Sequence, residues 1–134
     1  MVKLYVRVAR PRPDFRLVLA FVWGDDVDTD TDGDSRPVES RKWTELYAQN
    51  RGRKDEVFDV LPEHVEPLVL RVQSEHEWLA AAVALLLAEI TGGGVSDRAA
   101  GPFVSAESVL ARVGAFDVPA AWERFRNSRY QSAP

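Results

Sequence analysis

The sequence predicts an α+β domain, with an antiparallel sheet from the N-terminal half, a long apolar helix and two shorter C-terminal helices. Three observations carry this expectation. Apolar residues recur at every second position in several runs before Val72; the tetrapeptide Ser74-Glu75-His76-Glu77 then opens a helical period; and helix signals dominate after Gly92-Gly93-Gly94. With 134 residues, 46% of them apolar, the chain is long enough to bury one core, so residues 1–134 read as a single domain.

The first strand is expected where Val2, Leu4, Val6 and Val8 alternate with Lys3, Tyr5 and Arg7, and Pro11 and Pro13 end it. Phe15 to Trp23 is apolar on both faces except at Arg16 and reads as a central strand. Residues 25–39 follow as an acidic loop, with Asp32-Gly33 as a turn signal. Trp43 to Gln49 alternates again, Asn50-Arg51-Gly52-Arg53 reads as a turn, Glu56 to Leu61 as a short strand, and Pro67 opens another over Leu68 to Val72. In the capping box, Ser74 and Glu77 would satisfy the free amides of a helix running from Glu75 to about Thr91, where Gly92 closes it. Leu79, Ala82, Val83, Leu86 and Ile90 form one stripe, but Trp78, Ala81, Leu85 and Leu87 leave little polar surface. Such a helix is covered on more than one side, and a homodimer interface is one way to cover it. Ser105 is the candidate N-cap of a segment to Gly114, and Asp117 with Pro119 marks a third helix through about Asn127. Residues 131–134 read as a frayed tail.

The chain has no cysteine, which excludes disulfides, thiolate metal sites and a cysteine nucleophile. No apolar leader precedes the first strand, and the longest apolar run, Trp78 to Ala88, is far shorter than the roughly 20 residues of a membrane span. A cytoplasmic protein with no membrane partner is expected. The net charge of -4 argues against nucleic-acid binding, and the preference for arginine over lysine suggests a GC-rich bacterial genome.

The net charge hides a local excess. Asp25, Asp26, Asp28, Asp30, Asp32 and Asp34 crowd ten residues and repel one another unless something positive answers them. A basic protein partner is one answer, and these six aspartates are then the candidate contact residues. A calcium ion is the alternative: Asp28, Asp30, Asp32, Asp34 and Glu39 lie within a twelve-residue calcium-loop pattern resembling the EF-hand loop, with Gly33 at its turn. Against this stand the strand expected before it, Ser35 where these loops carry an aliphatic residue, and the lack of a second loop in the sequence. The third answer is internal, since Arg36, Arg41, Lys42, Arg51, Arg53 and Lys54 follow the run, against Glu39 and Glu45.

Signals for catalysis are weak. His64, in an expected loop, and His76, in the first helical turn, lack the spacing that places metal ligands on one helix face. The glycine run ends a helix and so forms no phosphate cradle. A non-enzymatic protein with no cofactor is expected, with a small-molecule enzyme as the third reading after calcium binding. Trp122 and Phe125 sit at helical spacing and read as core, leaving Arg124 and Arg126 as a solvated face.

The segments Trp43-Thr44-Glu45-Leu46-Tyr47, Phe58-Asp59-Val60, Pro67 to Val72 and Ala88-Glu89-Ile90-Thr91-Gly92-Gly93, with Val95-Ser96-Asp97 beyond, resemble small bacterial immunity proteins of polymorphic-toxin and contact-dependent inhibition systems. The resemblance covers Trp43 to Asp97 and transfers no catalytic residue. It implies a protein that occludes the active site or substrate groove of a cognate toxin, and the Asp run would then mimic nucleic-acid phosphates toward a basic toxin domain.

Overall fold

The alternation expected at the N-terminus places Leu4 and Val6 in the core and leaves Lys3 and Arg7 exposed. This strand, β1 (Val2–Arg7), opens a computed structural model that describes residues 1–131. It is followed by α1 (Phe15–Val22), β2 (Thr29–Gly33), β3 (Leu46–Asn50), β4 (Arg53–Val65), β5 (Leu68–Ser74), α2 (Glu77–Thr91), β6 (Gly94–Ser96), a 3-10 helix (Ala106–Arg112) and α3 (Val118–Arg126). The strands form one antiparallel sheet in the order β2-β3-β4-β5-β1-β6. The fold is α+β, as the sequence predicts.

Register fixes which residues face the core. Leu46, Ala48, Phe58, Val60, Leu70, Val72, Leu4 and Val6 point to one side of the sheet and join a single buried cluster with α1 and α2. From Leu79 to Ala88 every residue of α2 is buried, because the sheet covers one side and α1 and the 3-10 helix cover others. The apolar residues from Leu79 to Ala88 are thus covered within the chain. Gly92 closes it at φ 71°, donating its amide to the Ala88 carbonyl. No helix among the described residues is long and apolar enough to cross a membrane.

Four local expectations are corrected. Phe15–Val22 is a helix, not a central strand: Asp14 accepts the Arg16 amide at 3.0 Å as N-cap, and Leu17 to Val22 are all buried. Burial on all sides erases the polar stripe by which a helix is told from a buried strand. The 25–39 segment is not wholly loop, since Thr29–Gly33 pairs with β3. The capping box does not form, because Ser74 ends β5 and its hydroxyl donates to the Val57 carbonyl at 2.7 Å, while Glu77 reaches Arg112 at 2.8 Å. His64 lies in β4, which runs past the expected stop at Leu61, with a register shift between Pro62 and His64.

At the C-terminus the expected caps do form. Ser105 accepts the Glu107 amide, although the segment winds as a 3-10 helix, and Asp117 accepts the Ala120 amide at 3.0 Å with Pro119 in the first turn of α3. Trp122 and Phe125 pack against the core as expected. Arg124 is not solvated, since its guanidinium donates to the Ala20 and Phe21 carbonyls in the last turn of α1. Gln131, the first residue of the expected frayed tail, donates its amide to Ser128 and its side chain to the Phe125 carbonyl; 132–134 lie outside the described residues.

Candidate functional site

The described helices gather on the Leu4 side, which leaves the opposite sheet face without a second layer. Strand alternation puts Lys3, Tyr5, Tyr47, Gln49, Asp59, Leu61, Arg71 and Gln73 on that open face. β2 is its edge strand. Asp30 stands opposite Gln49 and Asp32 opposite Tyr47, so both carboxylates rise from the same face, while Thr29 and Thr31 turn to the other.

The six aspartates divide by what answers them. Asp25 is largely covered: its carboxylate accepts from the Ser128 hydroxyl and the Arg129 amide, both at 2.8 Å. Asp26 pairs with Arg129 at 3.0 Å. The Asn50–Arg53 turn, held by the Asn50 side chain accepting the Gly52 and Arg53 amides, projects Arg51 between Asp28 and Asp30, and its guanidinium binds both. These hydrogen bonds hold Asp30 below the usual carboxylate range and raise the Arg51 pKa. Asp34 accepts the Thr44 amide and hydroxyl at 2.8 Å and the Glu45 amide at 2.9 Å. Partial burial pushes its pKa up, but these donors outweigh it and the net shift is downward. Among the described residues, Asp32 accepts only the neighbouring Gly33 amide.

The calcium-loop pattern is therefore carried by a strand and not by a coordination loop. Extended backbone rises about 3.3 Å per residue, so carboxylates two residues apart lie about 6.6 Å apart along the strand, whereas calcium gathers its oxygens at about 2.3–2.6 Å from one point. An arginine sits between Asp28 and Asp30, where the ion would have to be. Ser35 turns into a local loop, its hydroxyl bonded to the Pro37 and Val38 carbonyls, and Glu39 is exposed beyond it. Among the described residues no group of three or more His, Cys, Asp or Glu is placed to hold a metal ion. His76 faces Asp55 at 3.0 Å as a lone pair of groups.

The open face also carries charge that sequence reading passed over. Tyr47 lies in a shallow groove lined by Asp32, Glu45, Asp59 and Leu61. Among the described residues no ion pair reaches Asp32, Glu45 or Asp59. Asp59 is partly desolvated, which raises its pKa against the opposing effects of the Gln73 hydrogen bond and the nearby Arg71. A carboxylate whose folded pKa is raised binds more protons folded than unfolded, so it subtracts stability as pH rises through that range. Asp59→Asn is expected to raise the melting temperature at neutral pH, with the gain vanishing once the pH falls below the ordinary carboxylate range. Melting curves of both proteins across that range test it, and an equal gain at every pH would remove the electrostatic explanation.

Fold and site together define a two-layer α+β domain with one open, acid-edged sheet face. Searches against protein-family models, curated proteins and solved structures each found no match.

Proposed function

We propose that this chain is a non-enzymatic protein-binding module of the immunity type, which neutralises a toxin of the same bacterial cytoplasm by covering a basic surface of it. One observation carries the reading: the acidic edge strand borders an uncovered face where Asp32, Glu45 and Asp59 surround Tyr47 without an ion pair among the described residues. Arg51 and Arg129 answer Asp28, Asp30 and Asp26, and the strip stays negative where they do not reach, at Asp32, Glu45 and Asp59. Such a strip steers a cationic partner over long range and gains specificity when the charges are paired on contact. The contact set is narrower than the whole Asp run. Asp25 and Asp34 are used within the fold and Asp26 is held by Arg129, so Asp32 and the Arg51-bridged Asp28 and Asp30 are the residues presented, with Tyr47 as the aromatic anchor.

The test pairs capture with a charge variant. Wild-type protein and the triple variant Asp30→Asn, Asp32→Asn, Asp59→Asn are recovered from the native cells at low and high salt. The expected result is one basic protein held by the wild type at low salt and released at high salt, and absent from the variant although its melting temperature is not lowered. A partner that the triple variant retains in full would move the contact away from this face.

A further inference from the structure

A second site lies on the helix side of the sheet. Where the helix layer stops short of the β3–β4 turn, a cleft of about 610 Å³ opens between Trp23, Trp78 and Phe116, a volume within the range of small-molecule sites. Trp78 and Phe116 stack at 5.6 Å, and Trp23 leans on Phe58 at 5.7 Å. At its base is Glu56, whose residue keeps only 9% of its surface exposed. Its Oε1 accepts the Trp23 indole N–H at 2.8 Å, but among the described residues Oε2 has only Arg53 at 3.5 Å, beyond a good hydrogen bond, and the Arg53 side chain is 75% exposed. Oε1 is thus satisfied, and Oε2 is the oxygen that a better-placed donor could reach.

The other charged groups of the cleft are committed. Arg124 is bound to the carbonyls ending α1, and Asp117 caps α3. The lining also carries two guanidiniums, Arg124, bound to those carbonyls and 5.9 Å over the Phe116 ring, and Arg53, the long-range partner of Glu56 Oε2. A cation seated on Glu56 would therefore displace the exposed Arg53 and meet the faces of Trp23 and Trp78. We infer that this cleft binds a primary amine carried on an apolar or aromatic frame, its ammonium on Glu56 and its frame against Trp23, Trp78 and Phe116. Glu56 points to the helix layer and the acidic strip to the open face, so this site stands or falls apart from the toxin-binding reading.

Phenethylamine, 2-phenylethanol and 3-phenylpropionate, which share a frame and differ in charge, are titrated against tryptophan fluorescence. The amine is expected to saturate, the alcohol to bind about tenfold more weakly and the acid more weakly still. Glu56→Gln keeps an acceptor for Trp23 and should weaken the amine about tenfold, while Arg53→Ala, at an exposed side chain that does not endanger folding, should tighten it about threefold. The inference is overturned if the alcohol binds as well as the amine, if Arg53→Ala changes nothing, or if no saturable binding occurs. Binding of N-acetyl-lysine methylamide without phenethylamine would also overturn it and assign the cleft to a partner's lysine side chain.

Discussion

Trp43→Ala is expected to lower the unfolding free energy by about 3–5 kcal/mol, the range for truncating a buried aromatic, and to be the most damaging side-chain truncation near the acidic edge. Trp43 is 1% exposed and belongs to the core although it lies in a connection, not in a strand. Its indole donates to the Pro13 carbonyl at 2.8 Å, and its own carbonyl accepts from Arg12 Nε at 2.8 Å. The ring thus locks the segment entering α1 to the segment entering β3. Arg12 is itself buried, with its pKa pushed down by desolvation, so loosening Trp43 also leaves a desolvated cation without its acceptor in place. The next residues, Thr44 and Glu45, donate to Asp34, which ties the loss to the edge strand. Trp43→Phe keeps most of the volume and loses the indole hydrogen bond, for an expected cost of about 1–3 kcal/mol. Urea unfolding of the three proteins, read at unchanged denaturant slope, separates the two contributions. A Trp43→Ala cost below about 1 kcal/mol would mean that the ring is not part of the core.

What the sequence made legible follows from whether a local pattern had one structural meaning. Alternation in β1, β3 and β5 and the Asp117-Pro119 start of α3 each had one, and each formed, although β3 begins at Leu46 and leaves Trp43 in the connection before it. Phe15–Val22 had two meanings, since a helix buried all round and a strand buried on both faces share the same composition. Ser74 could cap a helix or end a strand, and the pairing of Ser74 with Val2, invisible locally, decided it. The Asp run shows the same limit at the site. Its crowding was plain, and Arg51, which answers Asp28 and Asp30, is one of the basic residues the sequence offered for that role, but nothing local singled it out from its neighbours or pointed to Arg129, at the far end of the chain. Tyr47 and Asp59 become neighbours of Asp32 only through strand order, which alternation does not encode. Inward and outward positions were legible, and the mosaic they form on the open face was not.

Gly93→Ala is expected to cost about 3 kcal/mol, the upper end of overpacking, although it adds a single methyl group. A Cβ at this position would lie 1.5 Å from the Arg7 carbonyl oxygen and 2.6 Å from its carbon, and both are backbone atoms that no rotamer change can move. The three glycines of the run are therefore not equivalent. Gly92 serves the helix end through its positive φ, and the group it crowds is the flexible Arg10 side chain. Gly93 instead lets the chain pass against β1 so that Gly94 can pair with Arg7 and Val95 with Val6. Relief of the clash must push β6 away from β1, which strips Val95 from the core and breaks its bridge with Val104. Gly114→Ala is the control: its φ of +60° imposes backbone strain of about 1–2 kcal/mol, but nothing lies within 4 Å of the added carbon. Chemical denaturation should rank Gly93→Ala well below Gly114→Ala in stability. Hydrogen exchange at the Val95 amide, bonded to the Val104 carbonyl at 2.9 Å, should accelerate in the first variant beyond what its global stability explains. Equal losses with an undisturbed Val95 amide would show that β6 accommodates the methyl group, and that the glycine run serves the end of α2 alone.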